Sequence, residues 1–401
     1  MLSFFRQSFR QWARSGTRTG ARPQPVRRLE CEPLEDRLLP SLTGANFLVN
    51  TTKTRLQNQP SVASSLTTGC YVVVWTDHKA TNDPNIKAQR YDAGGHKIGK
   101  EITVEGSRQI DHDPVVAMDA HGNFVVVWTR DFYASDTDLW AVRYRADGTR
   151  LSSPFRVATN YKAEFDPSVA MAGNGDFIVG YTLRFNGSDT DVYAKMFKAN
   201  GTLARTISVA ASTRPEGQSS VAATADGRFD IACTDSNNII LQRFSKYGVR
   251  LGSVAVAKTT RTERAPSVAL DGNGNAVVAW QVQVGSNWNV QARRVSSSGV
   301  LGSVITVQAT AAQETGPSVS IDPTTRRFVV AYQSVTGSTK AVKVTELSAA
   351  GSVVRTATMG TNLTGPAVAV GANHTYLVAA NSILGNSLDP DGGIFGRRGL
   401  L

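Results

Sequence analysis

The sequence predicts an all-β fold, a seven-bladed β-propeller, and three observations lead there. A unit of about 50 residues recurs seven times. Its apolar segments are short, β-branched and bounded by Gly, Asn and Asp, with no helical period. The two ends of the chain are complementary, one lacking a strand and the other carrying a spare.

Each unit opens on Pro-Ser-Val-Ala or a close variant, at Pro60, Pro114, Pro167, Ser219, Pro266, Pro317 and Pro366, with spacings of 54, 53, 52, 47, 51 and 49. A Val-rich second strand ends 14 or 15 residues later, at Trp75, Trp128, Tyr181, Cys233, Trp280, Tyr332 and Ala380. Aromatics at a fixed repeat offset read as packing between blades. Turn segments such as Gly173-Asn-Gly-Asp176 and Asp271-Gly-Asn-Gly-Asn275 join the first two strands, since Gly and Asn accept the positive φ of tight hairpins. A third strand covers Ile86–Tyr91, Leu139–Tyr144, Val192–Phe197 and Ile239–Phe244, and a fourth covers Ile102–Val104, Phe155–Val157, Ile207–Val209, Val254–Val256 and Ile305–Val307.

Four antiparallel strands in this length make a propeller blade. Solenoid coils are shorter, and sandwich domains need about 100 residues. The seventh unit has strands at Ala367–Val370, Tyr376–Ala380 and Ile394–Arg398 but no fourth. Residues Asn46–Asn50 match the fourth-strand pattern and are expected to complete that blade and close the ring, which removes free sheet edges. Residues 1–45 then form a disordered leader and 46–401 the propeller.

The chain has 401 residues, 41% of them hydrophobic, which suffices for a large core without disulfides. No run of 18 apolar residues occurs, so no membrane span is expected. The net charge of +11 suggests nucleic acid at first sight. Seven arginines within residues 1–28, with no acid among them, account for most of it and leave +4 for residues 29–401. The basic signal belongs to a tail, so no nucleic-acid partner is expected for the folded domain. Cys31, Cys70 and Cys233 offer no plausible pair.

After the tail, Leu34-Glu-Asp-Arg-Leu-Leu-Pro40 resembles the LEPR-xLL-type segment near the start of many bacterial surface and secreted proteins, with Asp36 where that pattern has Pro. The resemblance implies a sorting element ahead of an exported domain, hence an extracellular or cell-surface location. The repeat, clearest in Asp113-Pro-Val-Val-Ala-Met-Asp-Ala-His-Gly-Asn-Phe-Val-Val-Val-Trp128, resembles repeats common in long bacterial extracellular proteins, with blades four and seven departing at Cys233 and Ala380. Such repeats imply a binding or adhesive role.

Two recurrences could carry chemistry. Three residues before the openings stand Asp111, Glu164, Glu216, Glu263 and Glu314, replaced by Gln57 in blade one and Leu363 in blade seven. Around a channel mouth these would form a cation or basic-ligand site; as strand starts they would cap backbone N–H groups or pair with nearby Arg. The second recurrence is Asp-x-Asp/Asn before the third strand, at Asp83-Pro-Asn85, Asp136-Thr-Asp138, Asp189-Thr-Asp191 and Asp389-Pro-Asp391. The spacing suits calcium, yet the Gly turn and distal carboxylate of a calcium loop are missing, and turns entering the strand explain it more simply. Basic residues near the end of the third strand, Arg90, Arg143, Lys195 and Arg243, read as side chains lying along the blade flank. Gly94-Gly-His-Lys-Ile-Gly-Lys100 looks like a phosphate loop but has Glu101 where a hydroxyl is required. The histidines show no ligand spacing.

The expected function is binding or adhesion through the face carrying the longer loops, by a monomer whose partner is a glycan or a surface protein. No cofactor is required, and calcium is the one ion the spacing could hold at Asp136, Asp138, Asp189 and Asp191. The alternatives are a glycan hydrolase or lyase using carboxylates on the same face, and a structural spacer with no site.

Overall fold

The computed structural model describes residues 42–52, 56–80, 83–133, 136–383 and 392–401. The Arg-rich leader, the segment 34–40 and Asp389-Pro-Asp391 lie outside them. Among the described residues, twenty-eight strands form seven four-stranded antiparallel sheets. Six of the sheets order their strands as they occur in sequence, the seventh takes its outer strand from the start of the propeller, and the first strands of successive blades lie side by side. The first strand of blade seven, Leu363–Val370, lies against that of blade one, Gln57–Ser64, so the ring is closed.

Closure uses the N-terminal strand, as the sequence predicts, but with limits shifted toward the N-terminus from the expected Asn46–Asn50. The strand runs Leu42–Leu48 and pairs antiparallel with Ile394–Leu400, Leu42 opposite Gly399 and Leu48 opposite Phe395. Val49 donates its N–H to Ile394, and Ile394 donates to the Asn50 side chain at 2.8 Å.

The core is not central. Seven hydrophobic clusters each draw on two neighbouring blades, one cluster for every junction in the ring. The recurring residues sit there: Trp75, Trp128, Trp280 and Tyr332 are fully buried, as are Cys233 and Ala380, which replace the aromatic in the two divergent blades. Within a blade the first residue of strand two stacks on the last aromatic of strand three, with ring centroids 4.8 Å apart for Phe124–Tyr144 and 4.9 Å for Phe177–Phe197 and Phe229–Phe244.

The Pro-Ser-Val-Ala opening has a specific geometry. In every blade the residue before Pro has positive φ: Gln59, Asp113, Asp166, Gln218 and Ala265 between 48° and 55°, with Gly316 and Gly365 near 58°. The ladder slips by one residue there, from His112 opposite Thr129 to Val115 opposite Val127 in blade two. This is a β-bulge, a place in a strand that tolerates Pro because no ladder N–H is required. Blade four keeps the bulge with Ser219 in the Pro position, so the bulge does not depend on the ring of proline.

The serine that follows reaches across the junction. Its Oγ accepts the N–H of the inner strand of the next blade: Val116 to Ser61 at 3.3 Å, Val268 to Ser220 at 3.1 Å, Val319 to Ser267 at 3.0 Å and Val368 to Ser318 at 3.1 Å.

One expectation fails. Among the described residues, the face expected to carry long loops has two-residue hairpins between strands two and three in four blades, for example 187–188 and 285–286. The residues after each strand-end aromatic continue the ladder instead of leaving it, as in Phe124–Tyr133 against Asp136–Tyr144. Turns of similar or greater length lie on the opposite face, so loop length does not mark a binding side.

Removing residues 42–50 is expected to cause gross destabilisation, checked by calorimetry as the loss of a single cooperative melting transition. Phe47→Ala, which empties the space over Gly396 and beside Tyr91, should cost about 3 kcal/mol in denaturant melts.

Candidate functional site at the channel mouth

The five recurrent acids stand first or second in the inner strands, and the structure buries all of them: Asp111, Glu164, Glu216, Glu263 and Glu314 are 0–3% exposed. The bulge explains where they point. Asp111 lies opposite Arg130 and Val116 opposite Val126, so the two share a sheet face although they are five residues apart. That face also carries Trp128, whose Nε1–H donates to Asp111 at 2.8 Å. In blade two the recurrent acid and the recurrent aromatic are therefore one unit inside the blade junction.

Each acid also caps the linker leading into its strand. Asp111 accepts from Ser107 Oγ at 3.2 Å, Glu216 from Ser212, Glu263 from Thr259 and Glu314 from Thr310, each donor four residues upstream. Glu164 takes a backbone N–H from Asn160. Asp111 alone of the five meets a guanidinium, Arg130, whose Nε lies 2.7 Å away. Burial pushes Glu164 up to about 8, helped by the charge of Asp138. Burial and Glu216 push the Cys233 thiol up to about 12.

The Asp-x-Asp pairs are split. Asp138 and Asp191 are buried, and each sits beside the acid of the next blade, Glu164 and Glu216 respectively. Burial raises both pKa values, and Asp136 and Asp189 add to the effect. Among the described residues no three His, Cys, Asp or Glu side chains gather in a geometry that could hold a metal ion. Neither recurrence is drawn into a shared site.

The basic positions are structural staples. Arg90 donates to the Ala146 carbonyl at 2.7 Å, Arg143 to Asn200 at 2.7 Å and Arg243 to Ser296 at 2.6 Å, each across to the outer turn of the next blade. Lys195 belongs to a neighbouring register and reaches back to Val157 of the previous blade at 2.8 Å. Gly94, in the phosphate-loop lookalike, receives the same kind of staple from Arg398.

Side chains that do face the channel mouth come from the bulge, which sequence reading missed. Gln59 donates to Asp113, and Asp113 N–H returns a bond to Gln59 Oε1 at 3.2 Å. His112 sits between Asp113 and Asp131, 2.9 Å from each. Burial opposes charge on its imidazole, but the hydrogen bonds and charges of the two carboxylates outweigh it and push the pKa up to about 9. Asp166 and Gln218 are exposed at the same bulge position in the next two blades. On this face too, Tyr161 in the linker to blade three is 84% exposed, and Phe185 at the end of a second strand is half exposed. Lys162 lies between them, 5.5 Å from the Tyr161 ring centre and 3.9 Å from that of Phe185. The signal available in the sequence was a proline within a strand.

With this geometry the chain belongs to the class of seven-bladed propellers, and several solved structures share its fold. A protein of unknown function from Dyadobacter fermentans DSM 18053 aligns with a TM-score of 0.55 at 12% identity, covering 90% of this chain and 100% of its own. A polysaccharide lyase, an ulvan lyase, aligns with a TM-score of 0.53 at 10% identity, covering 85% of this chain and 94% of its own. The same enzyme bound to -[GlcA(1-4)Rha3S]- gives a TM-score of 0.54 at 10% identity over the same shares of each chain. No family model and no curated protein matches the chain. At these identities the likeness establishes the fold.

Two pH effects follow. Glu164 titrates above its usual value, so the stability tied to its protonated form is complete below about 4.5 and is lost as pH rises through about 8. Glu164→Gln should flatten that slope and exceed the parent at pH 9 by on the order of 3 kcal/mol in denaturant melts. The stability contributed by His112 is complete below about 6.5 and is lost as pH rises through about 9. Asp131→Asn should move the imidazole titration, followed by NMR, down by about one unit or more.

Proposed function

We propose that this propeller is a non-catalytic glycan-binding module of an exported bacterial protein. Its binding surface is the channel-mouth face between blades two and three. The observation that carries the reading is the exposed pair Tyr161 and Phe185, flanking Lys162, on the same face as the bulge side chains Asp113, Asp166 and Gln59. Large aromatic surface left in water marks a contact site. Aromatic faces suit the C–H surfaces of a sugar ring, and carboxylates and amides fixed in a rigid bulge suit its hydroxyls. The polysaccharide lyase among the fold neighbours is consistent with such a ligand.

Two observations favour binding over catalysis. The recurrent acids are sealed inside blade junctions, where no glycosidic bond can reach them. His112 is held protonated by two carboxylates and so is not poised to take a proton near neutral pH. Export rests on the LEPR-xLL-like segment. No helix among the described residues is long and apolar enough to cross a membrane.

The test is a glycan and cell-wall array probed with the full chain, with and without calcium. The calcium arm decides whether the pairs Asp136–Asp138 and Asp189–Asp191 take the ion. Tyr161→Ala combined with Phe185→Ala should weaken binding tenfold or more, whereas Tyr247→Ala on the opposite face should leave it unchanged. Parent-like binding by the double variant rejects the site. Shortening of a bound glycan chain during incubation rejects the non-catalytic reading.

A further inference from the structure

A second surface lies on the opposite face, in the grooves between blades where the outer turns emerge. Three clefts line up there: about 200 Å³ between blades three and four, 260 Å³ between four and five, and 440 Å³ between five and six. The last departs from the stapling pattern. Cross-strand register places Arg294 opposite Val277, the position held by Arg90, Arg143, Arg243 and Arg398 in other blades. Those four donate to the outer turn of the next blade. Arg294 does not. Its one hydrogen bond goes to the Arg326 carbonyl at 3.3 Å, on a different turn, and the outer turn at Ala349 is left as a cleft wall.

Arg326 faces the same cleft, half exposed, with its Nε 3.9 Å from Asp271. That carboxylate is already engaged, accepting the N–H groups of Asn273 and Asn275 at 2.9 Å and the Asn275 side chain at 2.8 Å. Two guanidiniums therefore share one occupied carboxylate, and the cleft carries surplus positive charge with unused planar donors. The rest of the wall is suited to more than an ion. Val300, two-thirds exposed, lies beside Leu301 and Ala349 as an apolar floor, and Asn275 stands at the rim.

We infer that the Arg294–Arg326 cleft binds an anionic saccharide, its carboxylate or sulfate on the two guanidiniums and its ring on Val300 and Leu301. This site is independent of the aromatic face proposed above. Burial depresses the Arg294 pKa; the Asp271 charge opposes this, and the Arg326 charge adds a smaller lowering.

The experiment is isothermal titration of the full chain carrying Tyr161→Ala and Phe185→Ala, which removes the other face. The probes are a sulfated uronate tetrasaccharide, its desulfated and carboxyl-reduced counterpart, and sodium sulfate. The anionic tetrasaccharide should bind, weaken with added salt, and exceed the neutral one tenfold or more. Arg326→Ala and Arg294→Met should each weaken it tenfold or more without lowering the melting temperature. Methionine is already accepted at this register in blade three, as Met196. Absent binding, equal binding of the neutral probe, or parent affinity in both variants overturns the assignment. Sodium sulfate binding as tightly as the tetrasaccharide overturns its saccharide half.

Discussion

A propeller blade has an unpaired sheet edge pointing at the channel, and the hydroxyl of one residue type answers it. The Ser of Pro-Ser-Val-Ala takes the N–H of the next inner strand in four blades. Each such bond is worth about 1 kcal/mol net, yet an unmet buried N–H costs more than that. The bond also fixes how far one blade is rotated from the next. That rotation sets the wedge of space that Trp75, Trp128 and their equivalents fill. At the rim the arginines perform the matching task for turn carbonyls that no strand can reach. Inner hydroxyls and outer guanidiniums hold each junction at both ends, and the apolar cluster lies between them.

This arrangement accounts for the polar residues that first look functional. A ring of acids at equivalent positions is what a binding channel would show, and it is also what a repeated cap would show. The bulge decides between them, because one extra residue rotates each carboxylate onto the blade interior. The same extra residue turns Gln59, Asp113, Asp166 and Gln218 outward. Positive φ in non-Gly residues costs on the order of 1 kcal/mol each, and five of seven blades bear it. One irregularity thus makes a structural ring and an exposed ring from adjacent positions.

Most of the fold was legible in the sequence because repetition multiplies weak signals. No single Pro-Ser-Val-Ala is informative, but seven such openings, five of them followed by a strand-end aromatic 14 or 15 residues on, specify blade, count and closure. Strand limits were not legible. Thr129–Tyr133 looks like a polar loop because Thr129, Arg130 and Asp131 interrupt the apolar run, whereas the segment pairs with Asp136–Leu139 and buries Thr129 and Arg130. Of the candidate site, the recurrent acids could be found but not their orientation, which depends on a one-residue slip that composition does not show. Arg294 escaped notice because its difference from Arg90 lies in what it fails to touch. Tyr161 and Phe185 escaped because they do not repeat.

The seam that closes the ring also determines how the molecule would yield to force. Leu42 stands opposite Gly399 in an antiparallel pair, so residues 42 and 401 lie at the same end of that seam. A pull between them separates the pairs one after another, the mode of lowest resistance. A ligand held on the remote blades, resisted through residue 42, also loads this strand first, because it precedes every blade junction in the path of the force. For a protein held at its N-terminal side, anchorage would be governed by a single strand and not by the strength of the ring.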